Sequence, residues 1–309
     1  MRTGIARVMV AALLAGSPIL AASPTADAAP SHAAGGACPA YRQTKIAYSL
    51  GILESLLPDN RGGMLLSATT GNAIERLTPN GHVTVLAKVS SPGQLVWHGK
   101  DTVMFPTGDA LASGALSRAD GTLTSLNLDT GKLTTVATGL TMPNGLAISH
   151  GSAYVTRDLG AGTGVTRISL GRHPKVTTDW STASDTNGIA IDARRKVMYV
   201  DQTFTVGGPV VRIPMAKPDA ATQIGDLSQV GGSPVQLLDD LTMSRGVLYV
   251  PGNGAGDLFS FDPQTGRSCL IASGLGNPSD VTVGTGHGWR DGALFVSGFD
   301  GTVREFVRE

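Results

Sequence analysis

Four oxygen-donor side chains stand at equivalent places along this chain and together could hold a hard divalent cation. They are Glu54, Asn144, Asn187 and Asp239. Carboxylates and amide carbonyls are the protein ligands that Ca²⁺ prefers, and two carboxylates would balance the charge of one divalent ion. Without a cation, two carboxylates held close together would repel each other. The alternative is that these residues only form turns, since Asn-Gly is a common turn sequence; four matching oxygen donors favour the cation site.

A strand–turn–strand block that recurs along the chain would position these side chains. In one copy, DTNGIAIDARRKVMYV (residues 185–200), two short apolar strands flank a charged turn. We name the residue that opens each block its leading residue; the six are Glu54, Gly93, Asn144, Asn187, Asp239 and Ser279. Consecutive leading residues are on average 45 residues apart. A period of about 40–50 residues built from short strands is typical of a β-propeller blade.

The sequence therefore predicts an all-β fold, a six-bladed β-propeller closed by the N-terminal strand. Two further strands follow each block, but the last blade ends after its third strand. The spare strand Lys45–Leu50 would fill the empty place and remove both sheet edges. In such a ring the first strand of every blade lines the central channel, so the leading residues would meet at one mouth of that channel.

The first residues have the features of a secretory signal peptide. Arg2 and Arg7 precede an apolar run from Val8 to Leu20, and Ala26-Asp27-Ala28 fits a cleavage site. The apolar run is too short to span a bilayer, so no membrane span is predicted. The expected organisation is a signal peptide at 1–28, a flexible N-terminal segment at 29–44 and the propeller at 45–309, in a secreted protein.

Composition limits the partners that this chain would bind. It has 41 Gly, 16% charged residues and a formal net charge of zero, which gives no electrostatic reason to bind nucleic acid or an anionic membrane. We expect a monomer. The two cysteines, Cys38 and Cys269, favour one disulfide in an exported chain, because the propeller would place Cys38 near the outer strand that carries Cys269. The alternative is two unpaired buried thiols.

Familiar catalytic motifs are absent from the sequence. It has no G-x-S-x-G, H-E-x-x-H, Walker A or complete G-x-G-x-x-G motif, and its six histidines are scattered. The second strands would run back towards the leading residues, which makes Arg157, Gln202 and Asn253 candidates, with Asn144, for binding a substrate. Arg157 would suit an anionic or polar ligand; the alternative is a surface arginine paired with Asp158.

The pattern resembles the gluconolactonase/regucalcin (senescence marker protein-like) family of six-bladed propellers, which is related to paraoxonases and strictosidine synthase-like proteins. The resemblance covers residues 45–309, and its motifs are Glu54, MPNGLAIS around Asn144, TNGIAIDARRKVMYV around Asn187 and LDDLTMSRGVLYV around Asp239. It implies that these residues hold Ca²⁺ or another divalent cation and serve lactone or ester hydrolysis. Paraoxonases have two consecutive ligand residues on one blade, which also makes Asp240 a candidate. The chain departs from the family pattern where Ser55-Leu56 follows Glu54 in place of Gly-Pro.

The expected function is that of a secreted, Ca²⁺-dependent lactonase or esterase acting on a small lactone or ester. A carboxylate base should assist a weak Lewis acid such as Ca²⁺, and Asp239 is the first candidate for this base and Asp240 the second. The alternative is a non-enzymatic propeller whose metal is structural and that binds a sugar, a peptide or a surface partner. A lyase that uses the same mouth is a third possibility.

Overall fold

The described chain is a ring of six antiparallel sheets. The computed structural model describes residues 37–160 and 164–309; the predicted signal peptide and residues 29–36 of the predicted flexible segment lie outside this part. Each sheet has four strands, which confirms the all-β, six-bladed β-propeller. Two short helices lie in loops, α1 (Leu111–Ala115) and α2 (Ser228–Gly231). Among the described residues, no helix is long and apolar enough to cross a membrane.

The N-terminal strand and the first three blades take up the first half of the described chain. The N-terminal strand is β1 (Tyr41–Ala47). Blade 1 consists of β2 (Leu53–Pro58), β3 (Met64–Ala68), β4 (Ala73–Leu77) and β5 (Val83–Lys88). Blade 2 consists of β6 (Val96–Trp97), β7 (Thr102–Thr107), β8 (Gly121–Asn127) and β9 (Leu133–Leu140). Blade 3 consists of β10 (Leu146–Ser149), β11 (Ser152–Arg157), β12 (Gly164–Ser169) and β13 (Lys175–Thr177).

The other three blades follow in the same order, from the channel outward. Blade 4 consists of β14 (Thr186–Asp192), β15 (Val197–Gln202), β16 (Pro209–Pro214) and β17 (Thr222–Asp226). Blade 5 consists of β18 (Thr242–Ser244), β19 (Val247–Gly252), β20 (Asp257–Asp262) and β21 (Arg267–Ala272). Blade 6 consists of β22 (Pro278–Val283), β23 (Leu294–Gly298) and β24 (Val303–Arg308), with β1 as its fourth strand.

The core is divided into apolar layers between neighbouring blades. One layer joins Tyr199 of blade 4 to Phe259 and Phe261 of blade 5, all fully or almost fully buried. The second strands are buried on both faces; all five residues of β3 are buried, for example. A strand covered on both sides needs a continuous apolar run rather than strict alternation, which explains why segments such as VMYV read as apolar throughout.

The N-terminal strand closes the ring, but it lies earlier in the chain than predicted. β1 pairs antiparallel with β24 from Tyr41 opposite Arg308 onward, so the strand spans 41–47 rather than 45–50. The residues after Ala47 cannot continue the strand, because Ser49 and Gly51 both have positive φ angles, 61° and 77°. They turn the chain over the ring towards blade 1.

A disulfide fastens the closing strand to the neighbouring blade, as predicted. It joins Cys38, just before β1, to Cys269 on β21, with 5.7 Å between the two Cα atoms. The backbone of Ala37 also accepts a 2.8 Å hydrogen bond from the Arg267 guanidinium. Blades 5 and 6 are therefore linked at their outer strands as well as along the channel.

We predict that removing this disulfide destabilises the ring by opening its seam. The crosslink spans 231 residues of sequence, and chain-entropy estimates for so long a loop reach about 5 kcal/mol. A Cys38→Ser/Cys269→Ser double variant should therefore melt at a lower temperature than the oxidised parent in circular dichroism. The parent treated with a reductant is the control and should melt like the variant. Equal melting of oxidised parent and double variant would contradict the prediction.

Candidate metal and substrate site

The four oxygen-donor leading residues meet in the channel, on the side where the first strands begin. We name this side the leading face. Glu54, Asn144, Asn187 and Asp239 are all buried, with at most 6% of each residue exposed. The Asn144 amide donates to Glu54 Oε1 at 3.3 Å, which joins blade 3 to blade 1 across the channel. The predicted convergence of these residues is therefore present in the structure.

Irregular backbone at the leading residues turns their side chains into the channel. The pairing of β2 with β3 skips one residue at Glu54, and that of β14 with β15 is shifted at Asn187-Gly188. Such β-bulges are a common way to re-aim a side chain at a strand end. The same device is used at Ser279-Asp280 in blade 6.

The Asn-Gly sequences are not turns. Asn187 and Gly188 lie within β14, and neither Gly145 nor Gly188 has a positive φ angle. Glycine is needed here for space: a Cβ on Gly145 would collide with the Asn187 carbonyl oxygen of the next blade. The interpretation of these residues as ordinary turns is therefore wrong, and the glycines allow neighbouring blades to approach closely at the channel.

Asp239 and Asp240 are adjacent, yet both side chains face the channel. This is possible because the backbone at these two residues is not a regular strand. Leu238 forms only an isolated bridge with Gly252, and β18 begins at Thr242. Asp240 is fully buried, and neither of its carboxylate oxygens has a hydrogen-bond partner. Asp239 accepts from the Asn253 amide at 3.0 Å and from the Asp240 backbone N–H at 3.2 Å.

Two amide oxygens of the site have no partner in the protein. Asn144 Oδ1 and Asn187 Oδ1 are buried and accept no hydrogen bond. The Asn144 nitrogen is already engaged, by Glu54 and by Asp109 Oδ2 at 3.2 Å. Buried acceptors without donors are costly unless something else satisfies them. The residues present thus fit a bound cation, with two amide carbonyls and the carboxylates of Glu54 and Asp239 as oxygen donors.

Four further carboxyl groups surround the leading residues: Asp158, Asp201 and Asp280, which are buried, and Asp109, which is partly exposed. The sequence reasoning missed Asp109, Asp201 and Asp280 as members of the site. Asp280 follows Ser279 as Asp240 follows Asp239, a parallel that could have revealed it. Asp201 interrupts the apolar run of β15, and a carboxylate among buried apolar residues is a usable signal. Asp109 comes from the long loop after β7, whose path no local motif indicates.

Burial of so many carboxyl groups raises their pKa values. Desolvation, followed by the nearby charge of Asp158, raises the pKa of Glu54 to about 7. Burial raises the pKa of Asp158 to about 6 and that of Asp280 to about 7. It also holds the pKa values of Asp239 and Asp240 well above the ordinary range, with neighbouring carboxylates adding to the effect. The site is therefore stabilised when its carboxyl groups bind protons or when a cation binds between them.

A metal at this place would depend on the asparagines. Within residues 37–160 and 164–309, no group of three or more His, Cys, Asp or Glu side chains is arranged to hold a metal ion by itself.

A cavity of about 320 Å³ lies further along the channel, among first-strand residues such as Leu57, Ile148 and Ile191. Asp280 and Gln94 are its polar lining residues nearest the site.

The three candidate substrate residues at second-strand ends differ in their contacts. Asn253 lies at the site, because its amide holds Asp239. Gln202 donates instead to the Ser184 carbonyl at 2.6 Å. The Arg157 guanidinium pairs with Asp179 at 3.3 Å, so the suggested pairing with Asp158 is wrong. Only 11% of the Arg157 side chain is exposed, and its Nε has no acceptor, so it is not an ordinary solvated surface residue.

Comparison with known proteins supports the fold. No protein-family description and no curated protein sequence matches the chain. A gluconolactonase structure from Xanthomonas campestris matches with a TM-score of 0.67 at 17% identity, over 87% of this chain and 90% of that one. A virginiamycin B lyase from Staphylococcus aureus matches with a TM-score of 0.58 at 10% identity, over 87% and 99%. A nidogen/laminin complex matches with a TM-score of 0.56 at 14% identity, over 72% and 80%.

We predict that metal-stripped protein loses stability as the pH rises. Carboxyl groups with raised pKa values stabilise the folded state when protonated, and this stability is lost between about pH 4 and pH 7. The melting temperature in chelator should therefore fall across this range, and Glu54→Gln should reduce the fall. Asp192→Asn is the control, because Asp192 ends β14 on the side opposite the leading face and its pKa is lowered by Arg195. A pH-independent melting temperature from 4 to 8 would contradict the prediction.

Proposed function

We propose that the protein is a secreted, Ca²⁺-dependent lactonase or esterase that hydrolyses a small lactone or ester. One observation carries the proposal. The carbonyl oxygens of Asn144 and Asn187 are buried without partners beside the carboxyl groups of Glu54 and Asp239. An acidic channel mouth with free oxygen donors suits a divalent cation, and a bound cation would polarise a substrate carbonyl. The likeness in fold to a gluconolactonase agrees with this chemistry.

Glu54, Asn144, Asn187 and Asp239 would hold the cation, Ca²⁺ or another divalent ion. When bound, it would polarise the substrate carbonyl and stabilise the negative charge that develops on the carbonyl oxygen. Asp239 would be the general base, because burial raises its pKa and so makes its carboxylate a stronger base. It would take a proton from a water molecule whose oxygen attacks the carbonyl carbon. The C–O bond to the leaving oxygen then breaks, and that oxygen takes up the proton.

The neighbouring residues would position these groups. The Asn253 amide orients the Asp239 carboxylate through its 3.0 Å hydrogen bond. Asp240 is the second candidate base, because both of its oxygens are free to accept. Asn144, Arg157 and Gln202 are proposed to contact the substrate from the ends of their strands.

A non-enzymatic propeller with a structural metal, binding a sugar, a peptide or a surface partner, is the second candidate. Its support is the polar contact of Asn144 with Glu54 and Asp109, which already ties three blades together without any ligand. A site built only to fasten blades needs no open position for a substrate. Hydrolysis of any lactone or aryl ester in the presence of Ca²⁺ separates the two candidates.

We predict that Ca²⁺ raises the melting temperature of metal-stripped protein and that a chelator lowers it. Binding to the folded state alone stabilises it by mass action, by about 2.7 kcal/mol at a hundredfold excess over Kd. Glu54→Ala or Asn187→Ala should weaken the response in differential scanning fluorimetry. Gln264→Ala, in an exposed outer turn, should respond like the parent. If added Ca²⁺ leaves melting unchanged, the oxygen donors hold no such ion.

The Asp239→Asn substitution separates a base from a ligand. The new amide side chain would keep the size and one carbonyl oxygen but could not take a proton. If Asp239 is the base, kcat for a lactone should fall by roughly 10²–10⁴ at any Ca²⁺ concentration, with little change in melting. Recovery of activity at high Ca²⁺ would show that Asp239 acts only as a ligand. Asp240→Asn is the comparison, and it should cost less.

A further inference from the structure

Exposed apolar side chains are distributed unevenly over the described surface. Twelve large apolar residues are exposed, and four of these lie on outermost strands: Val85, Leu133, Val176 and Leu270. The other eight all lie in loops of the leading face, and among the described residues none lies in a loop of the opposite face. Single exposed apolar residues are ordinary, but a set gathered on one face indicates a binding surface.

These apolar residues lie next to the candidate site along the chain. Five of them are within four positions of a residue discussed above as part of the candidate site or as a substrate contact. They are Ile52 near Glu54, Leu111 near Asp109, Phe204 and Val206 near Gln202, and Val235 near Asp239. Leu116 and Val206 share loops with Leu111 and Phe204, and Tyr48 precedes Ile52. The apolar residues thus come from blades 1, 2, 4, 5 and 6, around the channel mouth.

Hydrogen bonds connect the loops of two aromatic residues, Phe299 and Phe204, to the neighbours of Asp239. Phe299 donates its backbone N–H to the Asn277 carbonyl at 2.9 Å. The Asn277 amide in turn donates at 3.0 Å to the carbonyl of Asn253, the residue that holds Asp239. On the other side, Thr203 donates its hydroxyl to the Leu238 carbonyl at 2.8 Å, which places the loop of Phe204 there.

The two faces also differ in charge. In the described loops of the leading face there is one lysine or arginine outside the strands, Arg118. Ten lie in loops of the opposite face: Arg61, Lys100, Lys132, Arg172, Arg194, Arg195, Lys196, Lys217, Arg245 and Arg290. Arg157, at the leading-face end of β11, is paired with Asp179. Buried carboxylates and loops with one basic residue would not attract an anion, and an apolar rim offers few hydrogen-bond partners to a sugar. This combination fits an uncharged ligand with an apolar part.

We propose that the leading face binds the aliphatic chain of an uncharged lactone or ester, whose carbonyl lies at the leading residues. The substrate class rests on the proposed hydrolase function, but the apolar surface can be tested separately. Burying one CH₂ group favours binding by up to about fourfold. Long-chain substrates should therefore be preferred over short-chain and polyhydroxylated ones.

The test is a series of γ-lactones and p-nitrophenyl esters that differ only in alkyl chain length, assayed at saturating Ca²⁺. We expect kcat/KM to rise by roughly two- to fourfold per CH₂ over the first several carbons. A Phe204→Ser/Phe299→Ser double variant should flatten this dependence. Leu116→Ser on the leading face and Leu133→Ser on an outermost strand form a matched pair, because both leucines are exposed, by 60% and 39%. Of these two variants, only Leu116→Ser should lower the ratio of kcat/KM for long-chain substrates to kcat/KM for short-chain substrates.

The outcomes distinguish this inference from the proposed function. Hydrolysis without chain-length dependence overturns the inference and leaves the hydrolase. If nothing is hydrolysed, the inference is tested by titration calorimetry with N-octylacetamide and N-ethylacetamide. Tighter binding of the octyl compound to the parent, lost in the double variant, supports the apolar surface. Absence of binding overturns the inference. Binding to phosphatidylcholine vesicles that the double variant loses, with no effect on chain-length preference, would show a lipid-surface contact and also overturn it.

Discussion

The accumulation of buried carboxyl groups in the channel is the constraint on which the rest of the structure depends. Seven acidic side chains lie there, and no lysine or arginine is among the charges that perturb them. Such a set is unfavourable in isolation. It persists because six blades hold the backbone from outside, through apolar layers and the closed ring. The stability of the blades thus maintains a site that would not form by itself.

Much of the architecture was predictable because the propeller repeats its pattern. The period of the leading residues, the missing fourth strand and the position of Cys269 all follow from local sequence. The side-chain arrangement did not. Asp109, from a long loop, accepts a hydrogen bond from Asn144. Arg157 forms its ion pair with Asp179 rather than with its neighbour Asp158. Both contacts depend on where loops pack in space, and no period or motif encodes that.

The two Asn-Gly pairs have a structural role that the sequence reasoning did not identify. Asn144 and Asn187 were identified by residue type and position, with a turn as the alternative. The structure shows that the glycines permit contact between blades, as at the Asn187 carbonyl. The asparagine and the glycine thus have separate tasks, one facing the channel and the other facing the next blade. Similar folds occur in the gluconolactonase, the lyase and the nidogen/laminin complex, so the fold alone does not determine function.

The closing strand has a consequence for biosynthesis. β1 is the first described strand to leave the ribosome, and its partner β24 is the last. An incomplete chain can form blades 1 to 5, but its final sheet has neither its third strand nor a place for its fourth. The ring therefore cannot close before residues 303–308 have been synthesised, and until then residues 41–47 lack their partner strand. Oxidation of Cys38 with Cys269 joins the segment before β1 to β21 of blade 5.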